Sequence, residues 1–256
     1  MTRVLVCVKR VPDSSGEVVL TDDGQAVDGR YAGFTISDHE NCAVELGIRL
    51  ADATGGSVTV LTVGPAEAVD QLRAALALGA GAAVHVQADP ARLGPDDVAH
   101  EIAAVVRDHR AAGAAYDLVL LGNDASDSGD FQVPVRLGYR LGLPIVTGAS
   151  TAEVTGDRVI AEADGPEGRE TYSVPLPAVV SVLEGGVEPR YPTMRGRMAA
   201  RKIEVETRQP TREPVGPSRV RLLLPPPAPA TAEVLGEGPE AAPAVVDLFE
   251  RLGVGR

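Results

Sequence analysis

The chain has 256 residues, of which 44% are hydrophobic, and carries a formal net charge of −12 at pH 7. This charge argues against nucleic acid as the main partner, because no broad basic surface is available to neutralise phosphates. No apolar run reaches the roughly 20 residues of a membrane span and the N-terminus lacks a signal-peptide pattern, so we expect a cytoplasmic protein that is not a membrane protein.

The chain up to residue 141 alternates between predicted strands and predicted helices. Apolar runs predict buried strands at 3–8, 57–63, 83–87 and 118–121. Helical spacing of apolar residues predicts helices from 37 to the Gly55-Gly56 pair and over 66–78, 95–112 and 132–141. A hairpin is predicted between Gly16 and Val27, with Asp23-Gly24 at its turn. The short connections and the alternating order predict an α/β fold with a doubly wound, mostly parallel sheet.

The pattern of apolar residues changes after Pro144. Short alternating segments predict antiparallel strands at 146–154, 158–164 and 170–174, and the apolar run 177–183 predicts one more buried strand. Residues 188–202 form a basic island, and 210–243 are rich in Pro, Gly and Ala before a predicted helix at 245–252. We therefore expect an α/β domain at 1–186, a docking loop followed by a helix or strand at 187–206, and an extended arm at 207–256 that packs on a partner subunit.

The segment from Asp117 to Pro134 is the strongest candidate for a binding site. It contains an apolar strand, a loop of small and acidic residues, and the start of a helix. Backbone N–H groups in such a loop, together with the helix dipole, can hold a phosphate, and ligands of open parallel sheets lie beyond the carboxyl ends of the strands. The alternative is a surface connection whose Asp and Ser side chains only cap a helix.

No pattern of a catalytic or metal site is present in the sequence. It lacks G-x-G-x-x-G, the Walker P-loop, H-E-x-x-H and a paired C-x-x-C, and its four histidines are spread over different predicted elements. Ser14-Ser15 lies near Lys9 but has no base placed for it. Cys7 and Cys42 stand in apolar surroundings, which predicts reduced, buried thiols. We expect a binding cleft without catalytic residues or metal ligands.

Several fragments, in this order, carry a resemblance to a known family. They are CVKRVPD, AVE…RLA, VTVLTVGPAEA, LRAALALGA, DLVLLGN, LPAVVSV and EPRYPTM…MAARK. Together they resemble the β subunit of electron transfer flavoprotein over about residues 1–206. The resemblance implies a Rossmann-like fold of the adenine nucleotide alpha hydrolase type and a heterodimer with an α subunit that holds most of the FAD. It also implies an electron carrier that is not an enzyme, serving flavin dehydrogenases, as in fatty acid oxidation, and a membrane-linked or other acceptor.

The same resemblance implies positions for an AMP site and a docking site. Cys7 and Val63 would wall the adenine, and the loop amides of Asn123–Pro134 would hold the phosphate. His39 takes the place of an aromatic residue near the FAD ring, and Met194, with Arg195 and Arg197 beside it, takes the place of a leucine that grips partner dehydrogenases. The implied AMP-binding residues are Cys7, Ser37, Asp38, His39, Glu40, Val63, Asn123, Asp124, Ala125, Ser126, Asp127, Ser128, Gly129, Asp130, Phe131, Gln132, Val133 and Pro134.

Two departures from the family pattern leave the bound nucleotide open. Phe131-Gln132-Val133-Pro134 stands where the family has Asn-Gln-Thr-Gly, and Ser37-Asp38-His39 stands where it has Asn-Pro-Phe or Asn-Pro-Tyr. AMP is the expected occupant, and an empty or weakly filled pocket is the first alternative. A second FAD, as in electron-bifurcating members, is the other. Because three acidic side chains lie in the loop, backbone amides and Arg136 would have to bind the phosphate. A free-standing adenine-nucleotide sensor of the universal-stress-protein type is the other functional alternative.

Overall fold

The structure, a computed structural model, describes residues 1–13, 15, 17–226 and 233–254. The chain divides into two compact units, Met1–Leu222 and Leu223–Arg256. Ser14, of the Ser14-Ser15 pair, and Gly16, the first residue of the predicted hairpin, lie outside the described residues, as do 227–232 and 255–256 of the predicted arm.

The described residues form eleven strands and six α-helices. The strands are β1 (Arg3–Cys7), β2 (Val11–Pro12), β3 (Phe34–Thr35), β4 (Ser57–Gly64), β5 (Ala82–Gln87), β6 (Leu118–Gly122), β7 (Ile145–Thr155), β8 (Arg158–Gly165), β9 (Gly168–Pro175), β10 (Ala178–Val182) and β11 (Val205–Arg208). The helices are α1 (Asp38–Thr54), α2 (Val69–Leu78), α3 (Pro95–Ala111), α4 (Val133–Leu141), α5 (Met194–Ala200) and α6 (Ala242–Leu252).

Nine of these strands form one sheet with β1 near its middle. Their order is β11-β5-β4-β1-β6-β10-β7-β8-β9, and all pairs from β11 to β7 are parallel. The pairs β7–β8 and β8–β9 are antiparallel. The predicted α/β fold is confirmed, as are the antiparallel strands added at one edge. The strand order reverses at β1, since β4 lies on one side of it and β6 on the other, and such reversals are where open sheets bind ligands.

Helices cover both faces of the parallel strands, as a doubly wound sheet requires. In β1, Val4 and Val6 face a core shared with α1, α2 and α5, whereas Leu5 and Cys7 face a second core shared with α3 and α4. Both faces of β1 are buried, which is why its sequence is a continuous apolar run rather than an alternating one. No α-helix among the described residues is long and apolar enough to cross a membrane.

The predicted hairpin at 16–27 is confirmed, within its described residues, as a chain reversal with Asp23-Gly24 in the turn, but it has one antiparallel bridge rather than two regular strands. Among the described residues of this segment, a single antiparallel bridge joins Leu20 to Val27 around a turn in which the N–H of Gly24 donates to the Thr21 carbonyl at 2.8 Å. The small two-stranded sheet is instead made by β2 and β3, where Val11 pairs with Thr35. Strands of two residues have no periodicity, so the sequence does not predict this pair.

Residues 207–222, which the sequence analysis places in the extended arm, lie in the first compact unit. The strand β11 runs to Arg208 and pairs in parallel with β5. After it, the N–H of Thr211 donates to the buried Glu101 carboxylate at 2.9 Å, and the N–H groups of Val215 and Gly216 donate to the buried Asp97 carboxylate at 2.9 Å each. The Pro-rich composition is therefore compatible with an ordered path, because two buried carboxylates on α3 bind the backbone.

Asp97 has a second role as the first-turn acceptor of α3. Its carboxylate also accepts the Gly94 N–H at 3.2 Å and lies 3.2 Å from Nη2 of Arg212. Burial favours a higher pKa for Asp97, but the N–H groups of Val215, Gly94 and Gly216 outweigh burial, so its pKa lies below its usual value. The ionised carboxylate therefore stabilises the fold at neutral pH, and this contribution is lost as the pH falls through the lowered pKa.

We predict that Asp97→Ala lowers the free energy of unfolding by about 2–4 kcal/mol, because it leaves buried N–H donors unpaired and uncaps α3. Chemical denaturation of the full chain measures this change. Glu213→Ala is the matched control: Glu213 is exposed and contacts Arg92 at 2.9 Å, so its loss should change stability by less than about 0.5 kcal/mol. Equal effects of the two substitutions would contradict the role given to Asp97.

Candidate functional site

A cavity of about 180 Å³ lies at the edge of the sheet where β1, β4 and β6 end. Apolar groups from three strands, from α3 and from the loop before α3 make its walls. They include Cys7, Leu61, Val63, Pro90, Leu93, Val98, Ile102 and Leu121. Polar groups occupy other parts of the lining, namely Lys9, Glu40, Asn123, Asp124, Ser128, Asp130 and Arg219. The cavity combines an apolar slot with hydrogen-bonding groups, which is the usual character of a small-molecule site.

The N-terminus of α1 packs closely against the end of β6. A Cβ at Gly122 would lie 2.7 Å from Cγ of Glu40 and 3.1 Å from Cβ of His39, so only glycine permits this approach. Ser37 caps the helix, and both its N–H (3.2 Å) and its hydroxyl (2.7 Å) donate to Oε2 of Glu40. The capping box places the Glu40 carboxyl in the wall of the cavity.

Two ionisable groups in this wall have displaced pKa values. Burial raises the pKa of the Glu40 carboxyl to about 7, against the lowering effect of the Ser37 hydrogen bonds. Burial, with a smaller contribution from the charge of Glu40, also raises the pKa of the Cys7 thiol. Cys7 is thus a protonated thiol at neutral pH and serves as an apolar wall group rather than as a nucleophile.

The loop between β6 and α4 begins with a fixed asparagine. The Asn123 N–H donates to the Val182 carbonyl at 2.9 Å, and its Oδ1 accepts the hydroxyl of the fully buried Ser181 at 2.8 Å. This arrangement leaves the side-chain NH₂ of Asn123 as the group available to the cavity. Further on, Lys9 Nζ lies 2.6 Å from Oδ1 of Asp127 and 3.4 Å from the Ser128 hydroxyl, so one loop carboxylate is already neutralised.

Several loop amides are engaged within the loop itself. The N–H groups of Ser128 and Gly129 donate to the Ala125 carbonyl at 3.1 and 2.9 Å, and the Gln132 N–H donates to the Asp130 carboxylate at 3.1 Å. Phe131, which lies between Asp130 and Gln132 in the sequence, has a positive φ of 56° and an exposed ring. These amides are not free donors in this structure, which limits how many backbone groups the loop offers to a ligand.

The structure brings about half of the implied AMP-binding residues to the cavity. Those that line it are Cys7, Glu40, Val63, Asn123, Asp124, Ala125, Ser128, Asp130, Val133 and Pro134. The others lie outside the lining, namely Ser37, Asp38, His39, Ser126, Asp127, Gly129, Phe131 and Gln132. His39 is adjacent to the loop, since its Nδ1 lies 2.6 Å from Oδ1 of Asp124, although this contact lacks the alignment of a hydrogen bond.

Arg136, which the sequence analysis names as a phosphate ligand, does not line the cavity. Its guanidinium donates to the Gln132 side chain at 2.8 and 3.1 Å and lies 3.5 Å from Asp96. Two other cations, Lys9 and Arg219, line the cavity instead. Lys9 directly follows the first predicted strand, at the edge where the binding site is expected. Arg219 comes from the Pro-rich segment and has no such signal in the sequence.

The implied docking residues lie in the basic island rather than at the cavity. Met194 is the first residue of α5 and is 75% exposed, with Thr193 capping the helix through its side chain. The prediction of a loop is therefore corrected at Met194, which begins a seven-residue helix. Two contacts attach this helix to α2. A Cβ at Gly196 would lie 2.3 Å from the Ala77 carbonyl oxygen, so the two backbones are in close contact, and Arg73 donates to the Ala200 carbonyl.

Comparison with known proteins agrees with this architecture. The family model described as "Electron transfer flavoprotein domain" matches residues 27–213. The chain belongs to the β-subunit family of electron transfer flavoproteins. It is 38% identical to an electron transfer flavoprotein subunit beta from Mycobacterium leprae, over 80% of this chain and 78% of that protein. It is 32% identical to the Bacillus subtilis protein of the same description, over 96% of both chains.

A relative with a different description shows the range of this flavoprotein family. The acryloyl-CoA reductase electron transfer subunit gamma of Anaerotignum propionicum is 32% identical to this chain, over 77% of this chain and 73% of that protein. The family assignment supports a role in electron transfer and confirms the resemblance found in the sequence. Within the described residues, no group of three or more His, Cys, Asp or Glu side chains is arranged to hold a metal ion.

We predict that Glu40→Gln changes the pH dependence of stability. The pKa of the Glu40 carboxyl is higher in the folded state than in the unfolded state. Its contribution to the free energy of unfolding is therefore fully present below the unfolded-state pKa and is lost as the pH rises through the folded-state pKa of about 7. The free energy of unfolding of the variant, relative to the original chain, should therefore increase by about 2–3 kcal/mol between pH 5 and pH 8. Denaturant titrations at the two pH values measure it, with the exposed Glu153→Gln as control. A constant difference between variant and original chain would show that Glu40 does not titrate in this range.

Proposed function

We propose that this chain is the β subunit of a heterodimeric electron transfer flavoprotein, binding AMP in the cavity at the ends of β1, β4 and β6 and clamping the FAD held by an α subunit. The observation that carries the AMP assignment is the apolar slot at the point where the strand order reverses. In this proposal the chain carries no catalytic residues, and its contribution is to position a flavin and to present a docking surface to flavin dehydrogenases.

The size and lining of the cavity support an adenine base as its occupant. Its volume of about 180 Å³ is below the roughly 300–1,000 Å³ of pockets that enclose a whole drug-sized ligand. A base therefore fits inside, with ribose and phosphate toward the loop that follows β6. Cys7 and Val63 lie on one wall, and Val98 and Ile102 of α3 add apolar surface that the sequence analysis did not assign to the site.

The loop after β6 supports one phosphate better than two. Asn123 offers a side-chain donor, but the amides of Ser128, Gly129 and Gln132 already have acceptors within the loop. Pro134 has no N–H to donate at the start of α4. A pyrophosphate needs more donors than a monophosphate, so the geometry favours AMP over a second FAD.

We predict that the co-expressed heterodimer releases about one FAD and about one AMP on denaturation. Chromatography of the released nucleotides against known standards, with protein quantified by amino-acid analysis, gives both ratios. Cys7→Phe is the matched variant, because a larger side chain at the cavity wall should remove AMP while FAD is retained by the α subunit. A flavin ratio near two with no AMP would assign the protein to the electron-bifurcating members instead.

An α-subunit partner would account for exposed apolar surface in the second compact unit. In that unit, the helix α6 has no buried residue, and Val246, Phe249 and Leu252 are between 48% and 64% exposed. Apolar side chains at helical spacing on an unpartnered helix are typical of a face that packs on another chain. We therefore retain the expectation that the C-terminal arm packs on the partner subunit, now for residues after Leu222.

The exposed residues around α5 are proposed as the docking surface for flavin dehydrogenases. Tyr191, Met194 and Met198 are 92%, 75% and 63% exposed, and Arg195 and Arg197 lie between the two methionines in sequence. In a chain of net charge −12, this island would attract an acidic patch on a partner and accelerate encounter, while a flexible Met side chain supplies contact area.

We predict that Met194→Ala weakens binding to a partner dehydrogenase by about 1–3 kcal/mol, the cost of removing an apolar interface anchor. Flavin content should stay unchanged, because α5 packs on α2 and not at the cavity. Tyr139→Ala is the control, since Tyr139 is 83% exposed on α4 at the opposite face of the sheet. Surface plasmon resonance against the dehydrogenase gives the affinities. Loss of FAD from Met194→Ala would instead make Met194 a packing residue of the subunit interface.

A further inference from the structure

The segment 211–222 crosses the N-terminal part of α3 and adds one cation, Arg219, to the proposed nucleotide cavity. We infer that Arg219 of this segment binds the phosphate of the nucleotide, so that the C-terminal part of the chain completes a site that the loop after β6 cannot complete alone. This inference rests on the proposed AMP site and adds to it a residue that the loop pattern does not contain.

The segment is held against the cavity by buried carboxylates of α3. Thr211 donates its N–H and its hydroxyl to Glu101, at 2.9 and 3.0 Å, and Asp97 binds the N–H groups of Val215 and Gly216. A Cβ at Gly94 would lie 2.9 Å from the Pro217 carbonyl, so the backbones of α3 and of the segment are in close contact there. The segment thus has a fixed path past the start of α3.

Backbone hydrogen bonds on both sides fix the position of Arg219. Its N–H donates to the Ala91 carbonyl at 2.8 Å, and the Leu222 N–H donates to the Gly24 carbonyl at 2.7 Å. Between them, the Gln25 side chain donates to the Val220 carbonyl at 2.7 Å. The Arg219 side chain reaches the cavity from a backbone that is hydrogen-bonded to two other loops. Because this backbone is already fixed, less conformational entropy is lost when Arg219 binds a ligand.

The charge of Arg219 is not neutralised by a nearby acid. Nη1 donates to the Gln25 carbonyl at 2.5 Å, and no carboxylate of the described residues lies within 4.0 Å of the guanidinium. By contrast, Arg136, Arg140 and Arg212 all contact Asp96. A guanidinium has five N–H donors in a planar fork, so Arg219 retains donors for an anion in the cavity.

The composition of the loop explains why such a cation is needed. Asp124 and Asp130 line the cavity with Arg219, and the positive charge of Lys9 is already balanced by Asp127 at 2.6 Å. A phosphate entering this cavity meets two carboxylates, Asp124 and Asp130, that no Lys or Arg of the described residues contacts, and it meets few free amides. A bidentate Arg–phosphate contact offsets that repulsion, because charge-assisted hydrogen bonds are stronger than neutral ones.

Isothermal titration calorimetry of the full-length chain, stripped of nucleotide, tests the inference with AMP and with adenosine. We expect Arg219→Ala to weaken AMP binding by about 10- to 100-fold, as for the loss of hydrogen bonds to a charged group, and to leave adenosine binding within about twofold. Arg221→Ala is the matched control, since Arg221 belongs to the same segment but does not line the cavity. Arg219→Lys should give intermediate AMP affinity, because it keeps the charge and loses the planar fork.

The outcomes separate this inference from the proposed function. The inference is overturned if the original chain binds AMP and Arg219→Ala binds it equally well. It is also overturned if Arg219→Ala and Arg219→Lys weaken the binding of AMP and of adenosine by the same factor, because Arg219 is then not the phosphate ligand. If the original chain binds neither compound, the proposed AMP site fails, and the inference fails with it. Should Arg219→Ala fail to fold, Arg219→Lys decides, and unchanged AMP affinity in that variant counts against a bidentate contact.

Discussion

The close contact between the end of β6 and the N-terminus of α1 is the constraint on which the site depends. Gly122 has no side chain, so Glu40 and His39 approach the end of the strand, and the Ser37–Glu40 capping box fixes the helix there. Since β1 lies between β4 and β6, the reversal of strand order opens a crevice beside this contact. A side chain at residue 122 would push α1 away and remove the Glu40 wall of the cavity.

Buried carboxylates on helices determine the path of the chain after β10. Glu45 on α1, only 2% exposed, accepts from Arg190 at 2.7 Å and from Arg49 at 2.5 Å, and thereby holds the start of the basic island. Asp97 and Glu101 on α3 hold the segment after β11 in the same way. Such groups contribute stability only while their partners remain in place, because an unpaired buried charge is costly. The two faces of the sheet thus each fix a different part of the C-terminal half.

The parallel part of the fold was predictable because each element has a strong local signal. The run Leu118–Gly122 is buried throughout, and α1 begins at its Ser cap, as the pattern indicates. Of the residues that line the cavity, only those on the strands or in the segments that follow them could be predicted from the sequence. The helix that carries Val98 and Ile102 was predicted from its apolar spacing, but the approach of these two side chains to the cavity depends on tertiary packing. Arg219 was not predictable, because Pro-rich composition suggests an extended arm, while the hydrogen bonds that fix this segment come from residues over one hundred positions away in the sequence.

The family assignment explains the overall pattern, and the cavity at the ends of β1, β4 and β6 is where we propose that the nucleotide binds. The most direct test is the crystal structure of the co-purified heterodimer with its bound nucleotides. Our account predicts an adenine ring in the slot between Cys7, Val63 and α3, with a single phosphate between Asn123 and the guanidinium of Arg219. A cavity filled by protein side chains, with AMP bound elsewhere or a second flavin extending beyond the loop after β6, would contradict it.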